Sequence, residues 1–439
     1  MSSQASAASL ANFDLGVHTW STERCQWRGV CSAAELAYSG TVMTTTSLTD
    51  REAVLFAMKL YKERGRSAFL HDHGFSAASQ YYVQFEGALY DAKAVTNVAY
   101  RRQHGPVVDR VISGGQAHSN RLLEQLGFTV VDGRPTTVEG ELAWRLALWQ
   151  HLTATEDLQQ VPPQALRDYD VYGGGQGIWL DASRTRRVHE GGITVAVLHT
   201  GAHYPDDLGE ESVLYHYPRT NRQAGRDASE IAATKVAAQL RLPVFVIAKP
   251  APRSAVRIVR LAWVEGWEDE SEQFLISYGG EAPTQVLGRD QSDQEPFELE
   301  GNRRRIRQRN VQVRPDQARF KLRVFQRYGP RCPLTGIAVP QMIEAAHLRP
   351  VEDDGTDDPR NGLPLSAGLH RAFDAGLFAI HPDSLEVVTR SGGPTVRDLH
   401  IAVPHLRDLD RKPHREALAW RFERWLARSG PRREIQRQA

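Results

Sequence analysis

The order of hydrophobic and polar positions divides the chain into stretches of different period. Val54, Leu55, Met58, Leu60 and Tyr61 recur near helical spacing behind Asp50–Arg51–Glu52, which predicts an amphipathic helix with an N-cap and an acidic first turn. Tyr81 to Tyr90 reads as two short strands around a turn at Glu86–Gly87. Asp91 stands where it would cap a helix carrying Lys93, Val95 and Val98. Ser113–Gly114–Gly115 punctuates before another helix that ends near Gly127, and Leu142 to Leu152 predicts one more. The pair Pro162–Pro163 marks a boundary.

Past Asp168 the pattern becomes strand-rich. Ile193–Leu198, Val213–Tyr217, Leu242–Ile247, Val256–Trp267 and Gln273–Tyr278 read as strands, and Ala228–Leu240 as a helix. An acidic, Gly-containing stretch from Gly288 to Glu300 reads as a linker. At the other end, residues 1–46 are Ser/Ala/Thr-rich without sustained period and read as a tail, with Met43 an alternative translation start. The expected architecture is α+β and multidomain: tail 1–46, mixed α/β head 47–163, strand-rich middle domain 168–290, linker and basic arm 291–315, and a C-terminal domain 316–430.

Composition narrows the class. A chain of 439 residues exceeds one ordinary domain, and 41% hydrophobic with 24% charged residues is globular usage. No apolar run approaches the ~18 residues of a membrane span, and no basic segment leads into an apolar core at the N-terminus. Cys25, Cys31 and Cys332 form neither a disulfide framework nor a zinc site. A cytoplasmic enzyme is the plain reading. Net charge is only +1, but its distribution is uneven. Arg303, Arg304, Arg305, Arg307, Arg309, Arg314, Arg319, Lys321, Arg323, Arg327 and Arg331 face the single acid Asp316. Such a run is either a solvated helix surface or a DNA-phosphate arm, for which Arg303, Arg304, Arg305, Arg307 and Arg309 are the candidates.

Four blocks follow that run: Cys332–Pro–Leu–Thr–Gly336, Glu344–Ala–Ala–His347–Leu–Arg–Pro350, Arg360–Asn361–Gly362–Leu363 and Leu369–His370–Arg–Ala–Phe–Asp374. Together they resemble the HNH (ββα-metal) nucleases from about Phe320 to Val388. Phosphodiester hydrolysis needs an activated water and a cation to hold charge on the leaving oxygen. The resemblance makes His347 the general base and Asn361 the residue that orients it. His370 and Asp374, one helical turn apart, would grip one divalent ion, Mg²⁺ or Mn²⁺. The sequence departs from the family where Ala346 stands directly before the base, a position that often holds a metal ligand. Glu344 would replace that ligand only if the strand bulges or ends there, because position 344 faces away from 347. Paired Cys-x-x-Cys knuckles are missing, so Cys332 is expected to be a buried structural thiol.

In the middle domain, Val171 to Trp179, Leu198 to Asp207 and Tyr215–His216–Tyr217 resemble the SRA (YDG) type of PUA-like modified-base reader. That resemblance implies a base flipped into an aromatic pocket, with Tyr204, Asp206, Asp207, Tyr215, Tyr217 and Trp179 as pocket candidates. His203 would line the pocket or the DNA path, and the basic run Arg219, Arg222 and Arg226 reads either as phosphate contacts or as a solvated loop. Tyr90 to Val95, Ser113–Gly114–Gly115 and Leu126–Gly127–Phe128 resemble the head domain of McrA-type restriction endonucleases, with Lys93, Arg101 and Arg102 as DNA contacts. The combination implies a modification-dependent (type IV) restriction endonuclease on double-stranded DNA carrying modified cytosine, consistent with a homodimer. A nuclease without modification specificity and a DNA-binding regulator with a silent nuclease domain are the rival readings.

Overall fold

The computed structural model describes residues 47–105, 111–173, 175, 177–199, 209, 211–220, 225–288, 290–301, 316–428 and 435–437. The 1–46 tail with Met43, Cys25 and Cys31 lies outside the described residues, as does the arm 302–315.

Helix α1 (Arg51–Arg64) begins where the Asp50 carboxylate accepts from Glu52 N at 2.9 Å, and α2 (Arg66–His73) follows after Gly65. Strands β1 (Tyr81–Phe85) and β2 (Ala88–Asp91) form a hairpin. Its two turn residues, Glu86 and Gly87, hold φ of 48° and 79°, the backbone hand that suits twisted strands. After α3 (Ala92–His104) come a π-helical turn at Gln116–Asn120, α4 (Arg121–Gln125), β3 (Thr129–Asp132) and α5 (Val138–Thr155). β3 pairs with β1, so the sheet runs β2-β1-β3, antiparallel throughout. α1, α3 and α4 bury Val54, Met58, Val95 and Leu123 against it.

Asp91 stands at the N-cap position of α3 as expected, but its side chain is used elsewhere. Its carboxylate makes no cap bond to α3. It accepts from the Tyr61 hydroxyl, from Ala78 N and from Arg66, whose Nε stands 3.0 Å away. A buried carboxylate needs charge-assisted partners, and Arg66 supplies them better than a helix end.

α5 is longer than its apolar pattern, since Thr137 caps it at Gly140 N. Nor does the proline pair open a gap. Pro163 starts the short helix α6 (Pro163–Arg167), and one buried cluster joins Tyr82, Trp144 and Leu148 to Val195, Phe245 and Leu261. A buried ion network crosses with it: Arg145 bonds Glu141 at 2.7 Å and donates to the carbonyls of Thr194 and Pro243, while Arg184 ties Glu141 to Asp181.

The middle segment adds β4 (Ile178–Leu180), α7 (Ala182–Thr185), β5 (Thr194–His199), β6 (Ser212–His216), α8 (Arg226–Gln239), β7 (Val244–Ala248), β8 (Ile258–Glu268) and β9 (Gln273–Tyr278). They form a six-stranded sheet in the order β4-β5-β7-β8-β9-β6, antiparallel except for the β5–β7 pair. α8 covers one face through Ala233 and Ala237.

The stretch from Gly288 to Glu300 is not a free tether. Asp290, buried, pairs with Arg327 at 2.9 Å and Arg411 at 2.6 Å, and the Arg360 guanidinium donates to the carbonyls of Glu295 and Pro296. Asp290 and Asp293 are matched by the buried Arg327 and the exposed Arg411 beyond the stretch, which composition alone does not reveal.

Helix α9 (Asp316–Tyr328) precedes an antiparallel ribbon of β10 (Ile343–His347) and β11 (Gly362–Ser366), then α10 (Ala367–Asp374). β12 (Phe378–Ile380), β13 (Val387–Arg390), α11 (Arg415–Ala427) and β14 (Ile435–Arg437) complete the chain, with β13 central in a three-stranded sheet. Phe320, Val324, Cys332, Leu363, Leu365, Leu369 and Phe373 form its core, so Cys332 is the buried thiol expected.

Candidate active site

The β10–β11 ribbon pairs without a slip from Ile343↔Ser366 to His347↔Gly362. Successive side chains therefore point to alternate faces. Ile343, Ala345 and His347 share one face; Glu344 and Ala346 share the other. α9 lies toward the first and α10 toward the second, as the contacts of His347 and Glu344 show.

His347 stacks on Phe320 of α9 with ring centroids 3.6 Å apart and planes 6° from parallel. Its Nε2 stands 3.1 Å from Asp357 Oδ1. Gly362, its cross-strand partner, completes this layer. A Cβ there would come within 2.5 Å of Phe320 Cζ, so only glycine lets the ring reach the imidazole. That steric demand, rather than a special φ, accounts for the glycine in the Arg-Asn-Gly-Leu block.

Asn361 is fully buried and corrects one expectation. Its side chain accepts from Arg349 N at 2.9 Å and donates to the carbonyls of Arg349 and Thr356 at 2.9 and 2.8 Å. It closes the loop that leaves His347 instead of bonding the imidazole. The ring's own partner is Asp357, inside that loop. Asp357 and Phe320 were not singled out from the sequence, although Asp357 lies four before Asn361 and Phe320 shows helical spacing with Val324.

On the other face, Glu344 Oε2 is 2.7 Å from His370 Nδ1, and Asp374 Oδ2 is 3.3 Å from His370 Nε2. The strand neither bulges nor ends at Glu344. From this regular strand Glu344 reaches His370 on the face opposite His347. Leu369 and Phe373 bury the inner side of α10, which turns His370 and Asp374 outward together. Arg421 of α11 donates to Asp374 Oδ1 at 2.9 Å and to the Phe373 carbonyl, with its own pKa lowered by burial. Two carboxylates and an imidazole are a donor set suited to a divalent ion. Among the described residues no three such groups already stand in metal-holding geometry; Glu344 and Asp374 occupy different nitrogens of one ring.

Of the basic run, Arg303, Arg304, Arg305, Arg307, Arg309 and Arg314 lie outside the described residues. Arg319 pairs with Glu265 and Arg327 with Asp290, so these two serve internal contacts. Tyr204, Asp206, Asp207, His203 and Arg222 also lie outside the described residues. Trp179 rests on Gly173 and donates Nε1 to the Asp170 carbonyl at 2.6 Å. Tyr215 is buried with its hydroxyl 3.4 Å from the Leu198 carbonyl and close over Gly177. Tyr217 packs on Phe274 and donates to Asp269 at 2.8 Å, with burial and that carboxylate pushing its pKa up. All three aromatic side chains are thus engaged inside the middle segment. Arg219 pairs with Glu272 and Arg226 with Glu230. In the head, Lys93 lies along Gly114, while Arg101 and Arg102 cover Phe75 and Phe56.

Residues 46–132 match the family of ScoMcrA-like N-terminal head domains, and residues 332–381 match the HNH endonuclease family. The second match contains His347, Asn361, His370, Asp374 and Glu344. Among curated proteins, no relative matches the chain. Two solved structures are similar in part. A modification-dependent TagI restriction endonuclease shows 19% identity and a TM-score of 0.26 over 61% of this chain and 91% of its own. The type IV phosphorothioation-dependent restriction endonuclease ScoMcrA shows 13% identity and a TM-score of 0.21 over 87% of this chain and 100% of its own. The chain carries a ScoMcrA-like head domain and an HNH endonuclease domain. No helix among the described residues is long and apolar enough to cross a membrane.

Proposed function

We propose that this chain, an endonuclease by its HNH domain, is a modification-dependent restriction enzyme that hydrolyses phosphodiester bonds of double-stranded DNA carrying modified cytosine. The observation that carries the catalytic half is the two-faced ribbon: His347 held by Asp357 and Phe320 on one side, Glu344, His370 and Asp374 gathered on the other.

Asp357 engages Nε2 of His347, which leaves Nδ1 to take the proton of the attacking water. Asn361 keeps the loop bearing Asp357 closed. Glu344, His370 and Asp374 would hold one divalent ion, Mg²⁺ or Mn²⁺, after His370 releases a carboxylate; when bound, the ion supplies charge stabilisation at the leaving oxygen. Arg421 holds Asp374 in place on α10.

The modification half rests on the Gly-rich opening, which touches Trp179 at Gly173 and Tyr215 at Gly177, and on the order of head, SRA-like segment and nuclease. Flipping a base costs a few kcal/mol of stacking that an aromatic pocket offsets. Such an enzyme would act in the cytoplasm against incoming phage DNA, and cutting both strands would use a homodimer. The test is cleavage of matched duplexes, plain and carrying 5-methyl- or 5-hydroxymethylcytosine, with Mg²⁺ or Mn²⁺. Cutting confined to a modified duplex supports the reading. Equal cutting of all of them removes the modification and keeps the nuclease.

A further inference from the structure

α9 belongs to two cores at once. Along one stripe, Phe320 and Val324 pack into the nuclease core, with Phe320 flat against His347 and Val324 beside Gly362. Along a second stripe, Arg319, Leu322 and Gln326 meet the middle sheet. Arg319 makes a two-point ion pair with Glu265 of β8, at 2.9 Å from Nε and 2.6 Å from Nη2. Leu322 is buried with Leu214 of β6 and Leu275 of β9. The Gln326 amide donates to the carbonyls of Trp267 and Leu287 at 2.9 and 3.0 Å.

These contacts differ in kind from a mere domain junction. Glu265 is itself buried, accepts a further bond from Ser277 at 2.8 Å, and lies next to the bulge in the β8–β9 ladder. A fork-to-carboxylate pair of this geometry fixes rotation as well as distance. One residue along the same helix, the Phe320 ring sets the plane of the imidazole. Phe320 is fully buried, and a Cβ at Gly362 would displace it. The helix therefore has little freedom to turn without carrying the ring with it.

We infer that α9 is the element by which the middle domain positions the base, with Phe320 the positioning residue at His347 and the Arg319–Glu265 pair its anchor. The inference rests on His347 being the base, and it adds that the nuclease ribbon does not hold that imidazole by itself. The middle sheet, whose strands also carry Tyr215 and Trp179, then sits one helix away from the proton-transferring group. A misplacement of about 1 Å at such a group can cost about 100-fold in rate.

The test uses the full-length, metal-free protein and follows the His347 Hε1 proton resonance, identified by its loss in His347→Gln. Stacking on Phe320 displaces that resonance upfield. Phe320→Leu is expected to abolish the displacement, Glu265→Gln to reduce it, and the exposed middle-domain change Glu281→Gln to leave it alone. In parallel, nicking of supercoiled plasmid carrying 5-methyl- or 5-hydroxymethylcytosine, whichever the wild-type protein cuts, should fall with Mn²⁺ about 10- to 100-fold in kcat for Glu265→Gln, with KM unchanged. Should Phe320→Leu fail to fold, Glu265→Gln decides alone. An unmoved His347 resonance in Glu265→Gln, or a wild-type resonance without upfield displacement, overturns the inference. Undiminished nicking by His347→Gln would instead refute the base assignment, and the resonance result would stand apart from it.

Discussion

Glu344 and His370 meet at 2.7 Å across the ribbon-to-helix step, while His347, three residues after Glu344 on the same strand, faces the other way. The alternation of a single β-strand thus puts the proposed metal ligands on one side and the proposed base on the other. One consequence is that the missing ligand at Ala346 needs no rearrangement, because Glu344 already shares Ala346's face.

Glu344→Gln should weaken Mn²⁺ binding by about tenfold or more, equivalent to about 1.4 kcal/mol, with the fold intact. Isothermal titration of the full chain measures it. Affinity equal to wild type would remove Glu344 from the ligand set.

Gly362→Ala places a methyl within 2.5 Å of the Phe320 ring. Overpacking of that kind costs about 1–3 kcal/mol. Denaturant unfolding should show the loss, and a neutral result would mean that Phe320 moves freely away from His347.

Much of this site was legible beforehand. The blocks around His347, Asn361 and His370 resemble a ββα arrangement, and strands β10 and β11 and helix α10 stand at them, with Asn361 in the turn just before β11. Sequence spacing could not reveal which side chain bonds which atom. Asn361 was assigned to the imidazole but bonds the loop backbone, since a buried amide goes where unpaired carbonyls are. Phe320 was hidden inside a run read for its charge. Five of the six strands of the middle sheet follow their apolar runs closely; Asp91 precedes α3 as its N-cap residue, but its carboxylate goes to Arg66, and the acidic 288–300 stretch is held by Arg327, partners that lie in distant segments.

Asp91→Ala should cost about 3–5 kcal/mol, because Arg66, only 14% exposed, would be left as an unpaired buried charge. Thermal unfolding measures the drop. Arg66 also reaches the Asp168 carbonyl at 3.0 Å, so the loss should be felt at the junction with the middle segment. A change below about 0.5 kcal/mol would show that the pair is solvated.

His151, half-buried against Tyr169, accepts from Leu89 N at 3.1 Å, and desolvation followed by the charge of Arg66 lowers its pKa to about 4. Its unfolded value is about 6.5, so between those values the unfolded chain binds more protons. Stability from this group is full above pH ~6.5 and declines by about 3 kcal/mol as pH falls to about 4. His151→Gln should flatten the stability–pH curve over that window relative to wild type. Parallel curves would contradict the neutral imidazole.

The division of labour within the ribbon is tested most directly by measuring Mn²⁺ affinity and DNA cleavage together for His347→Ala and His370→Ala. His347→Ala should bind Mn²⁺ as wild type does and cleave about 10²–10⁴-fold more slowly, while His370→Ala should lose both. Loss of Mn²⁺ binding in His347→Ala, or unimpaired cleavage by it, would mean that His347 is not the base set apart from the metal ligands.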